Sequence, residues 1–513
     1  MRYSLTKLLF IFTFFSASLS AQHFNYPLNA YSKYFLEQGD SSLLSSLQAL
    51  PESWYQLDSV WGYRSELHYT KPGNTLNYDH LMSLDKEGLQ VYVDLLLNFE
   101  LGKELRDNSA YTDTSLLYRN LRGFSVKGNI GKKISFNTTF REIQSSFPRY
   151  LHLYASETLI VPGTGRIKPF SGTAFDHNIA EGYVSFMPVE QLNIQFGSQK
   201  NFIGSGYRSL LLSDNTFTYP QLKITASFLK GKLRYQMIHA WLQTLERLPN
   251  GDSPESLYKP KGGSFKYLEI RPIDALSIGF FEGIIWRRFD AKEGTLKFPT
   301  AAYNPVIGIN SLVHDGNEDA HSMIGIDLTL RLIKGLRLYG QYAKDGEKRD
   351  AYQVGLRSVD LLLKGLSLSL EQNIAADATY ASADPLMAYT HFGQALAHPM
   401  GSGFQETHIG IMYFHRRLFF NGRGTLAKTK ALTGGDYAGD QLFTGLPAHG
   451  YDLKERELMQ SDVRLGYFFN PKSNFNVYIG WLGRQEDFGD SKQVYNMISF
   501  GIDMSLFNTY EDF

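Results

Sequence analysis

The stretch Gln90-Val-Tyr-Val-Asp-Leu-Leu-Leu-Asn-Phe-Glu-Leu-Gly102 decides how the rest of the chain is read. Val91, Val93, Leu95, Leu97, Phe99 and Leu101 fall on one face of a strand, and Gln90, Asp94, Asn98, Glu100 and Gly102 on the other. Successive strand side chains point to opposite faces, so one face meets an apolar medium and the other meets water. Two carboxylates on the polar face argue against the competing architecture of a soluble sandwich, whose core would not tolerate them unpaired.

Outward from this strand the same period of two recurs in hairpins with short connections. The turns fall at 131–133, 188–191, 230–231, 272–274, 334–335, 364–365, 415–417 and 470–473, and Gly, Pro and Asn supply the backbone conformations that such turns demand. Longer stretches separate the hairpins, at 148–175, 202–219, 246–262, 290–321, 377–403 and 429–460. Eight hairpins, the strand at 90–102 and a closing strand at 495–507 predict about 18 strands. Short turns on one side and long loops on the other are the asymmetry of a bacterial outer-membrane barrel. The expected fold class is therefore all-β, a transmembrane antiparallel β-barrel of about 18 strands with a short N-terminal helical periplasmic segment.

The first residues differ in kind. Arg2 and Lys7 precede an apolar run from Leu8 to Phe15 and then small residues up to Ala21, the order of a secretory signal peptide. Residues 22–89 are expected to form a helical cap or partial plug at the periplasmic mouth. Within them 31–38 and 41–50 are predicted helices, and 61–69 is a strand or part of the cap. The barrel is expected over 90–507, with a C-terminal tail at 508–513.

Composition agrees and excludes other classes. The 513 residues carry 51 basic and 51 acidic side chains, so nothing favours nucleic acid. There is no cysteine, which removes disulfides, thiol catalysis, thiolate metal sites and a lipid anchor on cysteine. Phe and Tyr number 36 and 32 against 5 Trp, an excess suited to strands and to the aromatic girdles of a barrel.

Asp94, Asn98, Glu100, Asp327, Arg331, Arg337, Gln341 and Glu371 are expected to face the lumen, where alternation requires polar residues. The segment after the fifth strand is less ordinary. Asn201-Phe-Ile-Gly-Ser-Gly-Tyr-Arg-Ser-Leu-Leu-Leu-Ser-Asp214 combines a close-approach turn at Gly204 and Gly206 with the hydrogen-bonding and stacking groups of Asn201, Tyr207, Arg208, Ser209 and Asp214. Its apolar triplet suggests that it folds back against the barrel, either as a binding loop or as an inward structural one. The phrase resembles the signature of outer-membrane proteins grouped with capsule-assembly Wzi, and is closer to their gliding-motility-associated RemB-like relatives. Further matching pieces are Val161-Pro-Gly-Thr-Gly165 with Lys168, Gly182-Tyr-Val184, Phe281-Glu-Gly283, Tyr303-Asn-Pro305, His391-Phe-Gly-Gln394 and Ala397-His-Pro399. The resemblance implies an eighteen-stranded barrel with a periplasmic helical cap. It implies attachment of capsular polysaccharide for the first group and a surface role in gliding for the second.

The functional expectation is a non-enzymatic barrel in the outer membrane of a Gram-negative bacterium that binds or helps assemble surface polysaccharide, with no cofactor. Its partners would be that polysaccharide, outer-membrane lipid and other envelope proteins. Lys168, Asn201, Gly204, Gly206, Tyr207, Arg208, Ser209, Asp214, His391 and His398 are the candidate glycan contacts, Arg208 and Lys168 for acidic groups and Tyr207 for stacking. A gliding-associated surface protein and a diffusion channel are the alternatives. His314, Asp315, Asn317, Glu318, Asp319 and His321 cluster, but Ala320 stands where a calcium loop needs Gly and Ile326 where it needs Glu. No Ser or carboxylate accompanies His391 and His398 at catalytic spacing.

Overall fold

The computed structural model describes the chain apart from residues 1–22, 26–27, 40–44, 49–50, 54–69, 107–110, 112–115, 250–256, 315–318, 347–348, 433–452, 471–472, 490 and 505–507. The signal-peptide segment, the stretch at 61–69 and most of the calcium-like loop thus lie outside the described residues.

Eighteen antiparallel strands close into one barrel. They are β1 (Leu89–Glu104), β2 (Leu117–Ile130), β3 (Ile134–Ser146), β4 (Phe175–Val189), β5 (Leu192–Gln199), β6 (Tyr219–Phe228), β7 (Leu233–Arg247), β8 (Tyr258–Ile273) and β9 (Leu276–Arg287). The second half comprises β10 (Ala320–Ile333), β11 (Leu336–Lys344), β12 (Asp350–Val359), β13 (Leu366–Ala375), β14 (Phe404–His415), β15 (Leu418–Leu432), β16 (Leu453–Asn470), β17 (Phe475–Asp487) and β18 (Lys492–Asp503). Neighbours in sequence are neighbours in the sheet, and β18 closes on β1 in a register from Met497↔Glu104 to Asp503↔Asn98. A short strand, Met82–Lys86, pairs with the start of β1 and lengthens the wall at the turn end.

All eight predicted hairpins are present at the expected turns. The alternation of the opening strand is also real. Leu95, Leu97, Phe99 and Leu101 are exposed on the outside, while Asp94, Leu96 and Asn98 are buried toward the lumen. Ile324, Ile326 and Leu328 of β10 are exposed in the same way, and Asp327 between them is buried. An outer surface of this kind is stable only against lipid hydrocarbon. The described pairing of the closing strand runs to Asp503, and residues 505–507 of its expected span lie outside the described residues. Two connections at the loop end, 345–349 and 488–491, are as short as the turns.

The N-terminal segment enters the barrel. Helix α1 (Ala30–Gly39) starts where Asn29 Oδ1 accepts the Ser32 N–H at 2.7 Å, the bond of a helix N-cap. Tyr31, Tyr34 and Phe35 on one face pack on Phe414, Phe419 and Phe468 beside the turns of β14/β15 and β16/β17. On another face Glu37 pairs with Arg357 at 2.6 Å and Arg337 at 3.3 Å. The second predicted helix does not form over its described part. Residues 45–48 are non-helical and Leu47 bridges to Ile203. Ser45 Oγ donates to Glu269 at 2.9 Å and Ser46 Oγ to Asp327 at 2.5 Å, so lumen carboxylates satisfy hydroxyls that favour non-helical backbone. Helix α2 (Lys71–Asn77) lies against the turn end, held by Arg417 to Asn77 and by Asn470 to the Thr75 carbonyl.

Candidate functional site

The connection between β5 and β6, residues 200–218, runs into the lumen. Ile203, Leu210, Leu211 and Leu212 are almost fully buried, and they pack with Tyr219, Ile238, Phe265, Tyr267 and Phe281 of the wall. Burial of such side chains contributes about 1.5–3 kcal/mol each, enough to order a loop. Two of the expected lumen residues, Gln341 and Glu371, then serve as its backbone partners. Gln341 accepts the Leu210 N–H at 2.8 Å and donates to the Ile203 carbonyl at 3.0 Å. Glu371 accepts the N–H groups of Tyr207 at 2.8 Å and Arg208 at 3.1 Å. From the turn end, the α1 ammonium of Lys33 donates to the carbonyls of Ser205 at 2.8 Å and Gly206 at 3.0 Å.

The Gly-Ser-Gly turn fits this crowding. A Cβ on Gly206 would stand 2.2 Å from Glu371 Oε2, and one on Gly204 2.6 Å from Gln341 Nε2. Gly204 also has φ +145°, in the region that favours glycine.

Arg208 lies at the centre and is 1% exposed. Its guanidinium donates to Glu406 at 2.8 and 3.1 Å and to the Asp512 backbone carbonyl at 3.0 Å, with the Asp512 carboxylate 3.1 Å away. Burial opposes its charge, but the carboxylates of Asp512 and Glu406 hold its pKa well above the ordinary value. The carboxylates that Arg208 engages in this structure are thus the protein's own. Tyr207 stacks on His408 at 3.9 Å rather than presenting an open face. Asn201 donates to Tyr219 at 3.1 Å and Gln221 at 2.7 Å, and Ser209 to the Ile203 carbonyl at 2.5 Å.

The partner at this centre is the end of the chain. After β18 reaches the turn end, residues 508–513 return through the lumen. Asn508 and Tyr510 donate to Asp214 at 3.1 and 2.7 Å, and burial pushes the Asp214 carboxyl upward. Glu511 pairs with Arg119. Phe513 reaches the loop end, where its carbonyl accepts from Arg484 at 2.7 Å and its ring meets Tyr154 edge-on at 5.0 Å.

The other candidates divide. His398 joins the cluster through Glu406 at 2.8 Å and stacks on Phe404. His391 is pinned elsewhere: its Nδ1 accepts the Gln243 N–H at 3.2 Å and its Nε2 donates to the Thr218 carbonyl at 3.3 Å. Burial lowers its pKa to about 3, so it stays neutral. Lys168 is exposed on a two-residue strand beside β4 and does not join them. His321, at the start of β10, bonds Asp345 and the Met387 carbonyl and so has a structural role.

At the loop end a cavity of about 650 Å³ remains. Helix α3 (Arg149–Thr158), the 376–403 segment, the outer ends of β16 and β17, and Phe513 contribute to its walls. Tyr150, Tyr154 and Phe488 give it aromatic surface, and Arg456, Arg484 and Glu486 give it charge. Deeper cavities beside the tail are small, about 90 and 50 Å³. None of the vestibule residues was among the sequence candidates. The available signal was weak: charges at the ends of β16 and β17, and an aromatic, acidic tail after a closing strand.

No family model matches the sequence, and no curated protein matches it. Solved structures match over most of the chain. OccAB2 of Acinetobacter baumannii is 12% identical, with 81% of this chain and 97% of that one covered at a TM-score of 0.45. A BenF-like porin from Pseudomonas fluorescens is 11% identical, with 82% and 99% covered at 0.45. Wzi, an outer-membrane protein involved in group 1 capsule assembly in Escherichia coli and described as a carbohydrate-binding β-barrel, is 12% identical, with 94% and 100% covered at 0.56. With its closed barrel and lipid-facing apolar belt, the chain is an outer-membrane protein of a Gram-negative bacterium whose eighteen-stranded fold is similar to that of Wzi.

Proposed function

We propose that the barrel binds surface polysaccharide, capsular or exopolysaccharide, at the loop-end vestibule and catalyses no reaction on it. The observation that carries this reading is the contrast within the lumen. Helix α1, the 200–218 loop and the 508–513 tail pack against one another through its middle, while a cavity of about 650 Å³ lies at the end that faces outward. A cavity of that size holds a few sugar rings, and aromatic faces with hydrogen-bonding groups are what sugars require. The carbohydrate binding ascribed to Wzi, which shares the fold, supports the same reading.

The buried candidates then act indirectly. Arg208, Asp214 and His398 hold the tail and the floor of the vestibule, while the sugars meet residues of α3, β16 and β17. A surface role in motility would draw on the same attachment chemistry. The test is retention of polysaccharide by cells lacking the gene and by the complemented strain. Loss that is restored on complementation is expected; equal retention by all strains overturns the reading.

A further inference from the structure

We infer that the vestibule selects a carboxylate-bearing sugar, a uronic-acid unit, through Arg456, with Phe513 completing the site. This rests on the polysaccharide-binding reading and adds the ligand class and the contacts.

Arg456 and Arg484 both line the cavity and share a single acidic partner, Glu486, at 3.1 and 2.8 Å. Arg484 is fully committed on its terminal nitrogens, to Glu486, Gln460 and the Phe513 carbonyl. Arg456 is not. Its Nε donates to Thr429 and one terminal nitrogen to Glu486, but Nη2 is buried without a hydrogen-bond partner. A buried guanidinium N–H left unmade is unfavourable, and a ligand oxygen there would satisfy it.

The charge count points the same way. Arg456 and Arg484 share the one carboxylate of Glu486, leaving one positive charge between them. Of the other acids lining the cavity, Glu246 is paired with Lys259 at 2.5 Å, and Glu157 is exposed to solvent. A guanidinium with an open N–H beside aromatic rings suits a sugar that carries one carboxylate and a stackable C–H face. The Phe513 ring, set edge-on to Tyr154, belongs to that apolar surface. The tail thus links the two halves of the site: its carbonyl fixes Arg484 and its ring lines the cavity.

The full-length protein in detergent is titrated by calorimetry with tetragalacturonate, with the same oligosaccharide after reduction of its carboxyl groups, and with polysaccharide extracted from the producing cells. Tetragalacturonate is expected to bind at least about tenfold more tightly than its reduced form, the scale of one charge-assisted hydrogen bond. Arg456→Gln should remove that preference, and deletion of Phe513 should weaken both ligands. Heat-dependent electrophoretic mobility checks that each variant is a folded barrel. Equal binding of the two oligosaccharides, or a preference that survives in R456Q, overturns the inference while leaving the polysaccharide reading intact. Absence of binding by the extracted polysaccharide overturns both.

Discussion

Arg208 illustrates how far a residue can be read before its partners are known. Its side chain was legible as an anion binder, but the anions are Glu406 and Asp512, 198 and 304 residues away in sequence. No local pattern carries that distance. The consequence is testable by pairing substitutions. Arg208→Ala leaves Glu406 buried without its cation and should cost about 3–5 kcal/mol in urea unfolding from lipid vesicles. Adding Glu406→Gln removes the stranded charge and should recover a large part of the loss; no recovery would mean that the pair is not its source. Glycine gives a second measurement at this scale. Gly206→Ala puts a Cβ 2.2 Å from Glu371 and 3.0 Å from Tyr339, an overpacking worth about 1–3 kcal/mol. Gly424→Ala in β15 meets nothing within 4 Å and should stay within about 0.5 kcal/mol of the parent. The close approach at Gly204 and Gly206 was readable from the Gly-Ser-Gly phrase; the neighbours that demand it were not.

Among elements, those defined by local rules were legible. Hairpins depend on a period of two and on turn chemistry within a few residues, and all eight stand where the sequence put them. The inward path of residues 200–218 was signalled by Leu210, Leu211 and Leu212, which are fully buried. In the described part of the 41–50 segment the expected helix is absent, because Ser45 and Ser46 are drawn to Glu269 and Asp327 on distant strands. The tail gave no element signal, since six residues have no periodicity. Yet it makes bonds to Asp214, Arg208, Arg119 and Arg484 along the lumen, and it separates the outer cavity from the smaller ones beside it. A chain ending at Phe507 should therefore still insert but show ion conductance in planar bilayers where the full-length protein is nearly silent. Equal silence from an inserted, truncated barrel would show that α1 and the 200–218 loop seal the lumen without the tail.

For the molecule as a whole, neutrality and modest hydrophobicity have one cause. Charges are paired inside, as in Lys266–Glu282 at 2.6 Å with both side chains fully buried, and apolar residues face outward on alternate positions. This inversion of a soluble protein was legible because it is written into every strand, and the count of eighteen followed from the hairpins. It also fixes where the bilayer must lie, which a depth series can measure. Ile326 and Ile333 are both exposed, the first on the outer face near the middle of β10 and the second at its turn end. Arginine at the hydrocarbon midplane of such a barrel costs about 2–4 kcal/mol, falling to about 0–1 near the interface. Ile326→Arg should thus destabilise the barrel by the larger amount in vesicle unfolding, and Ile333→Arg by the smaller. Equal costs at the two sites would place the membrane elsewhere on the barrel, and a negligible cost at Ile326 would mean that this face does not meet lipid.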